Sequence, residues 1–194
     1  MIILGLDPGL VRTGYGVIET GTRGEEPRLV EAGVVEPGAR GSLEGRLARL
    51  FDGVRDALIA AAPEVMVVEE LYTVYRNPQT AILMGHARGV CYLAAGQAGI
   101  PVGHLGHSAV KRALVGHGTA KKEQVGKMVA ALLHLRAVPE PNDVSDALAL
   151  ALAYANVRQH EERLRSIDDV LTDHGYARGE RRREGARRGG GPQL

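Results

Sequence analysis

The first 35 residues contain three strand-like segments, and the turns between them are too short to hold a crossover helix. The segments are residues 2–6, 12–20 and 29–35, separated by Asp7-Pro8-Gly9 and by residues 21–27. Asp-Pro-Gly is a turn signature, and a parallel connection needs about a dozen residues or more. The three segments must therefore pair antiparallel, so the sequence predicts a meander at the start of the fold.

The rest of the chain alternates between helical and extended patterns. Apolar residues at helical spacing from Leu43 to Leu58 predict a helix capped by Ser42, and the all-apolar residues 65–68 predict a strand covered on both faces. Further elements are expected as helix 79–98, strand 101–105 and helices 108–115, 121–135 and 143 to about 164. This order predicts an α/β fold with a mixed five-stranded sheet, an antiparallel meander followed by parallel strands, and helices on both faces.

The length of 194 residues suits one domain with a tail. We expect residues 1–165 to form the domain and residues 166–194 to form a basic, disordered tail. From Tyr176 onward there are six Arg and two Glu, a local net charge of 6 − 2 = +4, whereas the whole chain carries +1. Such a segment buries too little apolar surface to fold, although a solvated tail without a partner is an equal alternative.

Three features predict a cytoplasmic protein without a membrane segment. The longest apolar run, Ala147 to Ala155, is far shorter than the roughly 18 residues that span a bilayer. The N-terminus reaches Asp7 without a basic region, so we expect no signal peptide. The single cysteine, Cys91, excludes an internal disulfide and favours a reducing compartment.

Carboxylates stand at three places where the apolar pattern would not place them. Asp7 ends the first strand, Glu69 ends the all-apolar strand, and Asp143 and Asp146 share one face of the last helix. Each has an ordinary explanation as a turn initiator, a solvated strand end or a helix-dipole partner. Glu70 points to the opposite face from Glu69 because side chains alternate along a strand. The conjunction of the acids, more than any one of them, indicates a functional site.

Acids that converge from different elements repel one another unless cations lie between them. Hard oxygen ligands favour Mg²⁺ or Mn²⁺ over zinc, and paired ions suit phosphodiester cleavage. We therefore expect Mg²⁺, with Mn²⁺ able to substitute and two ions in each site. The nearest zinc candidate is His104-x-x-His107, but two histidines without further ligands are typical of ordinary surface or core positions.

Several motifs follow one another in a characteristic order across residues 2 to about 157. They are Ile3 to Gly9 with Thr13 to Ile18, Val68-Glu69-Glu70, Gly85 to Val90, Val110-Lys111 with Val115 to Lys122, and Asp143 to Ala149. Together they resemble the RuvC family of bacterial Holliday junction resolvases. The resemblance implies an RNase H-like fold, a homodimer, and Mg²⁺-dependent paired nicking of four-way DNA junctions in recombination and repair. A branch-migration helicase complex, RuvA and RuvB, is an implied partner.

The resemblance also implies roles for individual residues. The catalytic and metal-binding acids would be Asp7, Glu69, Asp143 and Asp146, and the DNA contacts would be Lys111, Lys122, Tyr72 and Arg76. Tyr72 would stack on unpaired bases at the crossover. Counting from Pro63 favours Glu69 as the second acid, whereas counting back from Gly85 favours Glu70. We choose Glu69, since an insertion in the intervening loop costs less than one inside a buried strand.

Two other functions fit parts of the pattern. A phosphotransferase of the actin-like and sugar-kinase type also begins with Gly-x-Asp-x-Gly, as in residues 5–9, but it needs two lobes that this length hardly supplies. A non-catalytic module that binds DNA junctions would use the basic segments alone. Nucleotide binding would identify the first, and junction cleavage with and without Mg²⁺ separates the second from a nuclease.

Overall fold

Five strands form a mixed sheet in this computed structural model, which describes residues 1–21, 25–70 and 78–173. The strands are β1 (Ile2–Asp7), β2 (Thr13–Glu19), β3 (Arg28–Val35), β4 (Val65–Glu69) and β5 (Val102–Leu105). Their order across the sheet is β3-β2-β1-β4-β5. The β1–β2 and β2–β3 pairs are antiparallel, and the β1–β4 and β4–β5 pairs are parallel. The predicted meander followed by parallel strands is confirmed.

Five helices complete the element order that the sequence predicts. They are α1 (Leu43–Ala61), α2 (Pro78–Gln97), α3 (His107–Val115), α4 (Lys122–Leu132) and α5 (Asn142–Asp173). Ser42 caps α1, as expected, by accepting a hydrogen bond from the backbone N–H of Gly45. None of the helices in the described ranges is long and apolar enough to cross a membrane.

Helix α5 is longer than predicted. The prediction ended it near Leu164, but the helix continues to Asp173. Leu164, Ile167 and Leu171 keep helical spacing in the sequence, and no glycine or proline follows until Gly175. The chain divides into two compact units, Met1–Gln159 and His160–Leu194, and the sheet belongs to the first. The expected domain boundary at residue 165 stays a prediction, but residues 166–173, which were expected in the disordered tail, are helical. Residues 174–194 lie outside the described ones.

Alternating side chains give the sheet two buried faces. On β1, Ile3 packs into a core with α3, α4 and α5, whereas Leu4 and Leu6 pack into a second core with α1 and α2. On β4, Val65 and Val67 belong to the first core, and Met66 and Val68 to the second. Helices therefore cover both faces of the sheet, as predicted.

Two glycines let α5 lie directly on the sheet. A β-carbon at Gly5 of β1 would collide with the backbone of Ala147, and one at Gly14 of β2 would collide with the backbone of Asp143. Only residues without a side chain allow this approach. The first turns of α5 therefore rest against the end of β1 and the start of β2.

Candidate active site

The ends of two parallel strands place two carboxylates side by side. Leu6 of β1 pairs with Val68 of β4, so Asp7 and Glu69 follow next to each other at the same edge of the sheet. Side chains two or four residues apart on a strand lie on the same face. Asp7 is four residues after Ile3 and Glu69 is two after Val67, so both lie on the face covered by α3, α4 and α5.

The next residue, Glu70, belongs to the opposite face by the same alternation. Its backbone N–H donates to the carbonyl oxygen of Leu105 at 2.8 Å, which extends the β4–β5 pairing by one residue. Glu70 is not among the residues that line the pocket described below. The structure thus brings Glu69, and not Glu70, next to Asp7.

A pocket forms where these strand ends meet α3, α4 and α5. Its polar lining is Asp7, Glu69, His107, Lys111, Lys122 and Asp146, and its apolar lining is Val110, Val125, Ala149 and Leu150. The acids come from β1, β4 and α5, and the basic residues from α3 and α4. Five of the predicted site residues therefore share one pocket.

Asp143 lies beside the pocket but does not line it. Its Oδ2 is 3.6 Å from Nη1 of Arg12, whose Nε is in turn 3.7 Å from Oε1 of Glu36. Asp143 is nevertheless close enough for its charge to act on Asp7 and Lys122. The structure therefore groups the four predicted acids electrostatically, with Asp143 at the rim and held by a cation that the sequence did not indicate.

The pKa of Asp7 is raised to about 7, and burial is the largest cause. The negative charges of Asp146, Asp143 and Glu69 contribute to this rise, in that order of importance, and the positive charge of Lys122 acts in the opposite direction. Such a pKa means that the surroundings do little to stabilise the negative charge of the ionised carboxylate. An added cation in this pocket would favour its ionised form.

Lys122 is the basic residue most closely joined to the acids. Its Nζ lies 2.5 Å from Oδ2 of Asp146. Burial opposes the charged form of Lys122, but the hydrogen bond to Asp146 and the nearby carboxylates outweigh it and raise the pKa of Lys122. Lys122 therefore stays positively charged beside the acids near neutral pH.

The donor chemistry of the pocket fits a hard divalent cation. Three carboxylates line it, no cysteine does, and the single histidine of the lining is hydrogen-bonded to Glu69. Among the described residues, no group of three His, Cys, Asp or Glu side chains already has the spacing of a metal site. Two of the acids are instead hydrogen-bonded to His107 and Lys122. The residues thus fit the ion by charge and donor type.

Comparison with known proteins bears on the whole of this architecture. A family model described as "Crossover junction endodeoxyribonuclease RuvC" matches residues 3–154, which include the five described strands except Ile2 and all four predicted acids. The chain belongs to the RuvC family. Family members are metal-dependent nucleases, so the predicted endodeoxyribonuclease is confirmed, and neither the phosphotransferase nor the non-catalytic module is favoured.

Individual members of the RuvC family are similar over most of their length. The RuvC of Rhodopirellula baltica is 45% identical over 152 residues, which cover 77% of this chain and 83% of that protein. The solved structure of Thermus thermophilus RuvC has a TM-score of 0.76 and 36% identity, covering 83% of this chain and 97% of its own. A structure of T. thermophilus RuvC in complex with Holliday junction substrate has a TM-score of 0.75 and 33% identity, with coverage of 82% and 96%. The predicted RNase H-like fold is confirmed by these RuvC neighbours.

Two predicted DNA contacts, Tyr72 and Arg76, lie outside the described residues, in the segment 71–77. Two residues of the site were not predicted, namely His107 beside Glu69 and Arg12 beside Asp143. His107 entered the sequence analysis only as a weak zinc candidate. The predicted parallel strands 65–68 and 101–105 were the available signal for His107. Parallel strands bring the residues that follow them to the same edge of the sheet.

Proposed function

We propose that this RuvC-family chain resolves Holliday junctions by paired symmetric nicks, in recombination and DNA repair. The observation that carries the proposal is a pocket in which Asp7, Glu69 and Asp146 face Lys111 and Lys122. The acids supply ligands for cations, and the lysines supply positive charge for a phosphate. A solved relative, T. thermophilus RuvC, is in complex with Holliday junction substrate, which supports the same substrate here.

We propose Mg²⁺ as the metal, with Mn²⁺ able to substitute and two ions in each site. Asp7, Glu69 and Asp146 would hold them, with Asp143 at the rim. Carboxylate oxygens are the ligands that these ions prefer, and a site without cysteine gives zinc no advantage. When bound, the ions supply an activated water and stabilise charge on the phosphate and the leaving oxygen.

The protein's own residues orient and neutralise the substrate. Lys111 and Lys122 line the pocket together with the acids, so a phosphodiester that enters it meets two positive charges. Each would offset the charge that develops on the phosphate oxygens. Asp7, whose pKa is about 7 without a bound cation, becomes a better ligand as it ionises beside positive charge.

We further propose a homodimer that uses helix α2 (Pro78–Gln97). Ile82 and Leu93 are 61% and 53% exposed on this helix, and a β-carbon at Gly85 or Gly89 would meet nothing within 4 Å. These four positions recur at helical spacing, so they form one open, apolar stripe with small residues at its centre. We expect the stripe to pair with the same stripe of a second copy, because a two-fold dimer pairs identical surfaces. Such a dimer would place one active site on each of two opposed DNA strands.

The oligomeric state tests this dimer. We expect wild-type protein to sediment as a dimer and Leu93→Glu to sediment as a monomer, since the charge would be buried in the interface. Ile59→Glu is the control, because Ile59 is 69% exposed on α1 rather than α2. A monomeric wild type, or an unchanged dimer in Leu93→Glu, would contradict the proposed interface.

Other parts of the proposal concern segments and partners beyond the pocket. Tyr72 is proposed to stack on bases and Arg76 to contact DNA. Residues 1–165 are proposed to form the nuclease domain and residues 166–194 its tail, in which residues 176–194, with a net charge of +4, would add non-specific affinity. The helicase complex RuvA and RuvB is proposed as a partner. A cytoplasmic location fits the single cysteine, Cys91, which is buried and free.

Cleavage of a synthetic four-way junction tests the central proposal. We expect two symmetric nicks in Mg²⁺, none in EDTA, and none in a linear duplex of the same sequence. Asp7→Asn should bind the junction and leave it intact, because a neutral amide is a poor ligand for Mg²⁺. Equal cleavage of junction and duplex would refute junction selectivity, and cleavage by Asp7→Asn at the wild-type rate would refute the metal assignment.

A further inference from the structure

His107 lies against Glu69 at the edge of the pocket. Its Nδ1 is 2.7 Å from Oε1 of Glu69. A carboxylate oxygen only accepts hydrogen bonds, so Nδ1 carries the proton and donates it, whatever the charge of the ring. We infer that His107 is a positioning residue for the nuclease reaction, whose Nδ1–H fixes the Glu69 carboxylate for metal binding. This inference rests on the proposed function, in which Glu69 is a metal ligand.

The backbone pairing of β4 with β5 fixes the distance between Glu69 and His107. Glu69 ends β4 opposite Leu105, the last residue of the parallel strand β5. The backbone N–H of Glu70 donates to the carbonyl oxygen of Leu105 at 2.8 Å and ties the two strand ends together. His107 begins α3 two residues later. The contact is thus made between side chains on rigid elements, which hold geometry better than loops.

The orientation of α3 directs His107 toward the pocket. Val110 and Leu114 of this helix are buried in the core, so the helix cannot turn about its axis. His107 and Lys111 are four residues apart, on one face of the helix, and both line the pocket. Although the His107 side chain is 71% exposed, its ring is therefore held on the side of the acids.

Glu69 needs such a partner because of its position. Its side chain is 34% exposed, and the neighbouring Asp7 repels it. A long carboxylate side chain in that position has several rotamers, and ordering it weakens metal binding. A hydrogen bond to one oxygen removes part of that cost before the ion arrives. Partners of this kind typically contribute a factor of about 10 to 100 in metal affinity or activity.

Three substitutions separate a directed hydrogen bond from mere polarity. His107→Ala removes the donor. His107→Asn places an amide N–H near the position of Nδ1, and His107→Gln places it farther out, near the position of Nε2. The matched control is His134→Ala, since Nε2 of His134 lies 2.6 Å from Oε2 of Glu26 and neither residue lines the pocket.

Two measurements report on metal binding, one of them without activity. The first is the rise in thermal unfolding temperature of the DNA-free protein with increasing Mg²⁺. The second is the Mg²⁺ dependence of junction cleavage. We expect His107→Ala and His107→Gln to need about 10 to 100 times more Mg²⁺ for the half-maximal effect in both. We expect His107→Asn to stay within a few fold of wild type, and His134→Ala to match wild type.

Two results would overturn the inference. One is an unchanged Mg²⁺ dependence in His107→Ala, and the other is a rescue by His107→Gln as complete as that by His107→Asn. If His107→Ala unfolds without metal, His107→Asn and His107→Gln are compared with each other at equal metal-free stability. A lower Mg²⁺ requirement in His107→Asn then supports a directed hydrogen bond, and equal requirements support polarity alone. If wild type fails to cleave junctions while Mg²⁺ stabilisation still depends on His107, the proposed function fails and the positioning role stands.

Discussion

Replacing Asp7 with Asn should stabilise the metal-free protein at alkaline pH. The folded state holds a proton on Asp7 up to a pKa of about 7, whereas the ordinary value is 3.8. Between these values the folded state binds more protons than the unfolded state, so stability falls as pH rises through this window and levels off above it. Asn carries no titrating group at this position, so the variant avoids the loss.

The expected size follows from the same pKa. Between pH 5 and pH 8, wild type loses stability only over the part of the range that lies below the folded pKa of Asp7, from pH 5 to about pH 7. These 2 pH units, at roughly 1.4 kcal/mol per unit, correspond to a loss of about 3 kcal/mol. The free energy of unfolding of Asp7→Asn, minus that of wild type, should rise by this amount from pH 5 to pH 8. Urea unfolding in EDTA, followed by circular dichroism, measures it.

The control variant is Glu70→Gln, which removes a carboxylate at the same sheet edge but outside the pocket. It should not reproduce the rise of about 3 kcal/mol expected for Asp7→Asn, because Glu70 lies outside the pocket that buries Asp7. At pH 8, Mg²⁺ should then stabilise wild type and leave Asp7→Asn unaffected. Parallel pH profiles for wild type and Asp7→Asn would refute the burial argument, and equal stabilisation of both by Mg²⁺ would refute the assignment of Asp7 as a ligand.

Four other predictions concern the site and its surroundings. Glu69→Gln should eliminate Mg²⁺-dependent junction cleavage, whereas Glu70→Gln should reduce it only modestly, because only the first lines the pocket. Lys122→Ala should slow cleavage and lower the salt dependence of junction binding by about one unit of slope. Gly14→Ala should lower the free energy of unfolding by about 1–3 kcal/mol or more and impair cleavage, since the added carbon collides with the backbone of α5. Deletion of residues 176–194 should leave nicking intact and weaken non-specific DNA binding at low salt, because it removes a net charge of +4.

Each of these has a result that would contradict it. An inactive Glu70→Gln with an active Glu69→Gln would reverse the choice of the second acid. An unchanged rate and salt slope in Lys122→Ala would leave that lysine as a structural partner of Asp146. Gly96→Ala is the control for the glycine substitution, since nothing lies within 4 Å of its added carbon, and equal losses in both would exclude the collision. Loss of nicking at saturating protein would make the tail part of the catalytic unit.

Most of the sheet could be predicted because its strands carry strong periodic signals. Short turns dictated the antiparallel meander, and the alternation through Val67 and Val68 dictated that Glu69 and Glu70 face opposite sides. The end of α5 was placed too early, because Leu164, Ile167 and Leu171 keep helical spacing and the next helix breaker in the sequence is Gly175.

The candidate site was predictable in its acids and not in their partners. Asp7 and Glu69 interrupt apolar patterns, which marks them in the sequence. The contacts of Arg12 with Asp143 and of His107 with Glu69 depend on which elements lie side by side. That arrangement depends on the sheet order and the strand register, and no local sequence pattern predicts it.

The two glycines beneath α5 lie on the first two strands, and the four predicted acids come from β1, β4 and α5, far apart along the chain. A nascent chain emerges from the ribosome with its N-terminus first. A chain still in synthesis carries Asp7 and Glu69 but lacks Asp143 and Asp146 until its final helix has been made. The four predicted acids can therefore come together only after the first turns of α5 have been made, and truncated products that end before α5 lack two of them.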